Sequence, residues 1–411
     1  MKTQNLIGEV ISIGDEITCG KRLDTNSQWV SQQLSELGVD VRFHSTIGDR
    51  LEDYESVFRN ACQRADLIIS TGGLGPTEDD LTSQALAELA GVPLEFDNAS
   101  FKHIETIFAK RNRPSAPSNR KQALRPQGSR AIFNPNGTAP GIDLALSKTD
   151  APRARIFAFP GVPAELREMW PSVATEIRGL VGTRVFYHFT LNCFGAGESD
   201  TEAMIPSEIM RRGRDPLVGI TASQATISLR VSTIGDTIDQ CQRFIQPTVD
   251  QLRAALGDLV YGEQDESLAS VVYLLLKQWR RKIAIADLGL DGRLFQDLKP
   301  CSAASEFILG GLQVNEGTVS HVFPSIASTN FNVEPALADV ATHVRRLFRS
   351  DIGLAIGPLP PPSDPQQAFC VAITDGTDHW SPRLTCAGHP NIRLVRATKQ
   401  ILNFIRLNVV R

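Results

Sequence analysis

Apolar positions recur in two registers along the chain, and their alternation predicts an α/β protein. Ile7 to Ile13 alternates and then runs apolar, which reads as a strand ending at Gly14, Asp15 and Glu16. Trp29, Val30, Leu34 and Leu37 follow at helical spacing, with Asp24, Thr25 and Asn26 as start signals and Gly38 as the stop. A strand VDVRFHSTI, a helix from about Glu52 to Arg64 and an apolar run from Ala65 to Ser70 come next, joined by short loops. This β-α-β-α-β order predicts a doubly wound, mainly parallel sheet. Helices over Leu81 to Ala90 and Phe101 to Lys110 then lead through a Pro- and Asn-rich stretch to the strand and helix of IFAFPGVPAELREMW.

The pattern changes after this point. Residues 183–262 read as a small α+β unit: a strand TRVFYHFTLNCFG, a helix Glu198 to Met210, a strand pair in GITASQATISLRVSTI and a helix Thr237 to Leu256. Nothing in this unit has catalytic spacing, and Gly195 to Glu198 read as a helix-start turn, with a ligand loop as the alternative. Residues 265–411 form a third domain with a helix SLASVVYLLLKQW, strands KIAIADLG, DIGLAIGP and AFCVAITDG, a helix Ala336 to Phe348 and an amphipathic helix Asn391 to Leu407. The pattern leaves Phe307 to Gly311 undecided, and PLPPPSDPQQ reads as a surface connection. The first domain spans residues 1–178.

Composition narrows the class. A chain of 411 residues implies two or three domains, and 42% hydrophobic with 21% charged residues describes a soluble globular protein. A net charge of -4 argues against nucleic-acid binding by bulk electrostatics. Seven scattered cysteines with no CxxC pair fit reduced thiols and a cytoplasmic setting, not a disulfide framework, and Cys386 with His389 is too isolated for structural zinc. The N-terminus does not read as a signal peptide, and no apolar run is long enough to span a bilayer.

The candidate chemistry concentrates in ADLIISTGGLGPTEDDLT, residues 65–82. A buried strand that ends in Gly72, Gly73 and Gly75 and feeds a helix after Pro76 and Thr77 leaves outward-facing N–H groups able to hold an anion such as phosphate. Glu78, Asp79 and Asp80 beside that cradle would repel a bare phosphate, so a divalent cation between them makes chemical sense. An acidic first helical turn that merely suits the helix dipole is the alternative. Asp15 and Glu16 sit where a parallel strand ends, the edge at which α/β sheets bind ligands. Phe159 to Pro163, followed by Glu165, form a second strand-end turn that would face the first across one crevice. Arg120 and Lys121 are candidates to meet phosphate oxygens, and Asn134, Asn136, Gly137 and Thr138 to close over a ligand.

EVISIGDEITCGKRLDTNSQWVSQQL, STGGLGPTEDDLT, NRKQAL, NPNGTAPG and FPGVPAEL, in this order, resemble the competence/damage-inducible protein CinA family. The resemblance is dense over about residues 6–170 and weak beyond. It implies a molybdopterin-binding-like N-terminal domain, a KH-like middle domain and a C-terminal domain that in many members deamidates nicotinamide mononucleotide. For some members it implies a metal-dependent ADP-ribose pyrophosphatase in the first domain. Joined to the acid-plus-glycine pattern, the resemblance makes Asp15, Glu16, Asp79 and Asp80 candidate ligands of Mg, Mn or Co. Asp15, Glu16 and Asp80 are then the candidate catalytic acids, Asp80 matching the acid of the molybdopterin-binding motif. Gly72, Gly73, Gly75 and Thr77 would donate to a diphosphate, and Asp24, Asn26, Asn136, Gly137, Gly161 and Glu165 would contact the substrate. The ligand is then a nucleotide or a pterin, cleaved or only bound, and the assembly a homodimer.

The C-terminal domain departs from the family. Deamidase-active members read Ala-Glu-Ser-Cys-Thr-Gly-Gly where this chain has Ala286, Asp287, Leu288, Gly289, Leu290, Asp291 and Gly292. Leucine at the nucleophile position has no oxygen with which to attack an amide. The family's Tyr-Ser-Asn stretch is also missing, and its Gly-Pro-Gly-Gly loop appears as Gly357, Pro358, Leu359 and Pro360. Purified protein is therefore expected to release no ammonia from nicotinamide mononucleotide, and ammonia release above a no-enzyme blank would refute the reading of Leu288.

Overall fold

The structure is a computed structural model and describes residues 6–146, 154–182, 185–301, 306–315, 318–323, 334–364 and 368–410. The chain divides into two compact units, residues 1–187 with 233–243 and residues 188–232 with 244–411. Among the described residues, no helix is long and apolar enough to cross a membrane.

The first unit opens with β1 (Ile7–Ile13), α1 (Asp15–Thr18), α2 (Thr25–Glu36), β2 (Asp40–Ile47), α3 (Leu51–Arg64), β3 (Leu67–Thr71) and α4 (Thr82–Ala90). It continues with β4 (Leu94–Phe96), α5 (Asn98–Lys110), β5 (Leu124–Pro126), β6 (Arg130–Ile132), β7 (Gly141–Ala145), β8 (Arg155–Phe159) and α6 (Pro163–Val181). The main sheet runs β2-β1-β3-β8-β7-β6. The first four strands are parallel, and β7 and β6 add an antiparallel edge.

Strict alternation on the central strands builds two cores, as the period-two geometry of a strand requires. Val10, Leu67, Ile69, Phe157 and Phe159 face α2 and α6, packing with Val30, Leu34, Leu166 and Trp170. Ile11, Ile13, Ile68, Ile156 and Ala158 face the other way, against Tyr54, Phe58 and Leu86 of α3 and α4. Glu9 is fully buried on β1 and is matched by Arg64 at 2.6 Å and the Ser45 hydroxyl at 2.7 Å, which joins β1 to α3 and β2. The doubly wound sheet expected from the periodicity is the one observed.

In the second part of the chain lie β9 (Val185–Cys193), α7 (Glu198–Met204), α8 (Ser207–Met210), β10 (Leu217–Ser223), β11 (Thr226–Gly235), α9 (Ile238–Leu256) and β12 (Val260–Glu263). The sheet order is β10-β11-β9-β12. The single helix expected over Glu198 to Met210 is two pieces, because Pro206 lacks an N–H and forces extended backbone at Ile205. Gly197 occupies the start of α7, as the turn reading required.

The remainder holds α10 (Leu268–Gln278), β13 (Ile283–Asp287), α11 (Arg293–Leu298), β14 (Ile308–Gln313), α12 (Val319–Val322), α13 (Glu334–Phe348), β15 (Ile352–Ile356), β16 (Ala368–Thr374), β17 (His379–Trp380), β18 (Arg383–Thr385) and α14 (Arg393–Asn408). Its sheet runs β14-β13-β15-β16-β17, so the stretch left undecided at Phe307 to Gly311 is largely an edge strand. Ile283, Ile285, Ile352 and Leu354 pack toward α10 and α14, whereas Ala284, Ala286 and Ala355 pack toward α13. Of PLPPPSDPQQ, residues 365–367 lie outside the described residues.

Backbone packs closely against backbone where β3 ends. Gly72 has φ +112°, and a Cβ there would collide with the carbonyl oxygen of Ile13. Gly91, which ends α4 at φ +67°, has open space around it. Gly72→Ala should therefore cost about 2–4 kcal/mol from overpacking plus backbone strain, and Gly91→Ala only about 1 kcal/mol. Urea unfolding of the two variants reads the difference, and equal losses would contradict the packing described.

Candidate functional site

At the carboxyl ends of β1, β3 and β8 the sheet opens into a cleft of about 370 Å³. Its floor is Gly72, Gly73, Leu74 and Gly75, one wall is Glu16, Arg22 and Asp49, and the far wall is Pro160, Gly161, Val162 and Glu165. Asp79, Asp80, Gln122 and Thr138 also line it, with Ile13, Gly14 and Ala139. A smaller recess holding Leu23, Asp24, Asn26 and Thr71 continues from it, sharing Glu16, Arg22 and Gly161. The two strand-end turns thus face one crevice, and Gly161 lies so close that its Cβ would be 3.6 Å from the Gly72 Cα.

The glycine turn works differently from its sequence-based expectation. The N–H of Gly72 donates to Phe159 O at 2.9 Å, extending the sheet ladder, so it is not a ligand donor. Among the described residues, no hydrogen bond takes the N–H of Gly73, Leu74 or Gly75. Gly73 has φ +66°, and a Cβ on it would strike Thr82 and the Tyr54 hydroxyl. Helix α4 begins at Thr82 and not after Thr77, because residues 76–81 are spent on a turn closed by Asp80. Asp80 Oδ2 accepts from Thr77 N at 2.8 Å and Thr77 Oγ1 at 2.5 Å. Both donors of Thr77 are therefore taken, and Thr77 does not line the cleft. Asp80 also covers Gly75, whose missing side chain leaves it room. Lys121 fastens the acidic turn from outside, donating to Thr77 O at 2.6 Å and Glu78 O at 3.2 Å. Arg120, expected to meet phosphate, stacks instead over the Phe96 ring at 4.1 Å.

The acids after β1 divide. Glu16 reaches the cleft. Asp15 does not line it: its Oδ1 accepts from Asp49 N at 3.2 Å, while Asp15 N donates to Asp49 Oδ2 at 3.0 Å. This exchange ties the ends of β1 and β2 together and leaves Asp49 as the carboxylate on the lining. Burial pushes the Asp49 carboxyl up from its ordinary value, and the nearby charges of Asp15 and Asp79 add to that against the N–H of Asp15 and the hydroxyl of Tyr54. Tyr54, itself fully buried, donates to Asp49 Oδ1 at 3.3 Å. Sequence reading missed Asp49, although it ends its strand as Asp15 does, and missed Arg22, a cation in an otherwise unstructured loop.

Asp24 caps α2, accepting from Ser27 N at 2.9 Å and Ser12 Oγ at 2.5 Å. Burial works to raise its carboxyl, but the hydrogen bonds from Ser12 and Ser27 outweigh it and hold the group below the usual carboxylate value. Asn26 donates to Gly161 O at 2.9 Å and so joins the start of α2 to the turn after β8. Glu165 is fixed by Asn134 Nδ2 at 2.8 Å, and Asn134 is buried with its other contacts made to Ala139 O and the N–H groups of Asn136 and Gly137. Gly137 leaves space for the Glu165 carboxylate. Asn136 turns its side chain to Glu168, away from the cleft, so it serves the loop and not the ligand. Among the described residues, no three His, Cys, Asp or Glu side chains converge closely enough to form a metal cage of their own.

In the C-terminal domain, fully buried Asp287 accepts from the N–H groups of Gly289 at 3.0 Å, Leu290 at 2.7 Å and Gly292 at 2.8 Å. The carboxylate thus closes the turn after β13 from within, and Leu288 packs beside the apolar cluster under α13.

Comparison with known proteins agrees with this architecture. Residues 9–178 match the family described as "Probable molybdopterin binding domain", and residues 188–262 match the "Damage-inducible protein CinA KH domain". The chain is 32% identical to the "Putative competence-damage inducible protein" of Lysinibacillus sphaericus, over 97% of this chain and 96% of the relative. It is 36% identical to the "CinA-like protein" of Nostoc punctiforme over 74% of this chain and 72% of the relative, and 34% identical to that of a Synechococcus strain over 91% and 92%. With a relative of this identity matched along nearly its whole length, and with a molybdopterin-binding-like domain followed by the family's own KH domain, the chain belongs to the CinA family.

Proposed function

We propose that the N-terminal cleft binds a nucleoside diphosphate sugar, with ADP-ribose as the reference compound, and hydrolyses its diphosphate with a divalent cation. The observation that carries this reading is the meeting of open N–H groups at Gly73 and Gly75 with the carboxylates of Glu16, Asp49 and Asp79 around one cleft. Open amides attract a polyanion, and a polyanion beside carboxylates calls for a cation between them. An ion such as Mg²⁺ needs only one or two protein carboxylates when substrate phosphates supply further oxygens, which suits a cleft whose acids do not form a closed cage. Glu16 and Asp79 would hold it, and Asp80 would position Asp79 by closing the turn with Thr77. When bound, the cation offsets the charge that gathers on the phosphates as the diphosphate breaks.

The chain's own groups supply the rest. The amides of Gly73 and Gly75 orient the phosphate oxygens, and Arg22 adds a positive charge on the wall beside them. Asp49, with its raised proton affinity, takes the proton of the attacking water and holds it beside Tyr54. Glu165 is kept in one orientation by Asn134 and closes the opposite wall. A second reading, binding of a pterin or nucleotide without cleavage, is favoured by the match to the molybdopterin-binding family and by the lack of three converging metal ligands among the described residues.

Full-length protein incubated with Mg²⁺, Mn²⁺ or Co²⁺ should release AMP from ADP-ribose, and Asp79→Asn, an exposed change, should lower kcat about 100-fold. Asp80→Ala should abolish release and also loosen the turn it closes. Ligand binding by calorimetry with no AMP under any of the three metals would replace hydrolysis with the binding reading. Asp49 gives a pH test. Its folded-state carboxyl titrates above the unfolded value, so its contribution to stability is present below the ordinary carboxylate value of 3.8 and is lost as pH rises through the folded value. Asp49→Asn should flatten that decline and be at least as stable as the natural protein at neutral pH. A variant that is less stable at neutral pH and keeps the same pH slope would contradict the environment assigned to Asp49.

A further inference from the structure

Beside the main cleft lies a second cavity of about 310 Å³, at the lower end of the size range of small-molecule sites. Thr138 lines both. The second cavity has a different chemistry. Its one carboxylate, Asp97, is occupied in capping α5, accepting from Ser100 N at 3.2 Å and Ser100 Oγ at 2.5 Å. Its walls include the rings of Phe133 and His103, whose centroids are 4.7 Å apart at 57°.

His103 is held by a 2.8 Å hydrogen bond between Nε2 and Asn134 O. A carbonyl oxygen only accepts, so Nε2 carries the proton and the neutral ring keeps Nδ1 as an acceptor. Asn134 is also the residue that orients Glu165 in the main cleft, so one buried side chain and its carbonyl serve both cavities. Phe133 is 65% exposed although its strand-end neighbours Ile132 and Asn134 are buried. The three most exposed large apolar side chains described in residues 6–182 are Leu23, Phe133 and Val162. Each lines a different one of the contiguous cavities: the recess, the second cavity and the main cleft. Exposed apolar surface gathered at a cleft, with an aromatic face among it, is what a planar ligand ring covers.

We infer that this second cavity is a ring subsite, receiving the planar nitrogen heterocycle of the ligand whose phosphates occupy the main cleft. The ring stacks on Phe133, the imidazole of His103 supplies an acceptor for an exocyclic amino group, and Thr138 marks the join between the ring end and the phosphate end. This rests on the phosphate-binding role of the main cleft given above. A purine and a pterin share the required chemistry, so both are probed.

The experiment is calorimetry on the full-length protein in Mg²⁺ buffer with inorganic pyrophosphate, ribose 5-phosphate, AMP and neopterin. AMP or neopterin should bind at least tenfold tighter than ribose 5-phosphate, and whichever does so identifies the ring. Phe133→Ala should weaken that ligand about tenfold, the scale of one lost base–aromatic stack, and leave pyrophosphate affinity unchanged, while Phe133→Trp should retain the binding. Pyrophosphate binding combined with no preference for either ring compound over ribose 5-phosphate would overturn the ring subsite alone. No pyrophosphate binding would instead remove the phosphate reading beneath it. A Phe133→Ala protein that loses pyrophosphate as well would place Phe133 in the fold and also overturn the assignment.

Discussion

The chain leaving β3 has no room for a side chain at Gly72, Gly73 or Gly75, and the site depends on that lack of room. Gly72 lies against the backbone of Ile13, Gly73 against Thr82 and Tyr54, and Gly75 under the carboxylate of Asp80. These contacts restrict the path of the turn, most firmly at Gly72 where the neighbour is backbone, since a packed interior yields little. A turn held this way cannot rotate its amides back onto the sheet. Once Gly72 has used its N–H on Phe159, the N–H groups of Gly73, Leu74 and Gly75 have no partner among the described residues, and all three residues line the cleft at the carboxyl edge of a parallel sheet. Brought there by the same geometry are the ends of β1 and β2, with Glu16 and Asp49, and the end of β8, with Gly161 and Glu165.

Much of this was legible in the residues. Alternation on β1, β3 and β8 gives both the strands and the two faces they bury, because a doubly wound sheet must be apolar on both sides. The meeting of the two strand-end turns followed from the parallel order alone. What could not be read was which backbone and side-chain groups would be consumed by the fold. Asp15 and Asp49 both follow strand ends and each accepts the other's backbone N–H, yet only Asp49 lies on the cleft lining, a difference that the pattern of residues does not carry. Thr77 looked like a donor, but Asp80 three residues on accepts both of its hydrogen bonds, a local closure that competes with helix formation and delays α4 to Thr82. Arg22 and Phe133 lie in segments without periodicity, where sequence carries no register, and the second cavity forms only where α5 meets the segment that follows β6.

The C-terminal domain shows the same distinction between scaffold and site. Its strands, their alternation and the helices on both faces are intact. Yet the turn after β13 is organised by a buried carboxylate that accepts three backbone N–H groups, and its neighbour is an apolar side chain. A turn so satisfied is stable by itself, which explains how the fold persists with leucine at residue 288. The fold class was therefore a safe inference from pattern, and activity had to be argued from the residues at the turn.

The central claim is that the amides of Gly73, Leu74 and Gly75 are free to receive phosphate. Amide hydrogen exchange of the full-length protein, with and without inorganic pyrophosphate and Mg²⁺, tests this most directly at peptides spanning residues 72–80. The account predicts slowed exchange at those peptides and at residues 161–165, with α13 and β13 unchanged. Exchange at residues 72–80 that is already slow without the anion, or that does not respond to it, would contradict the account.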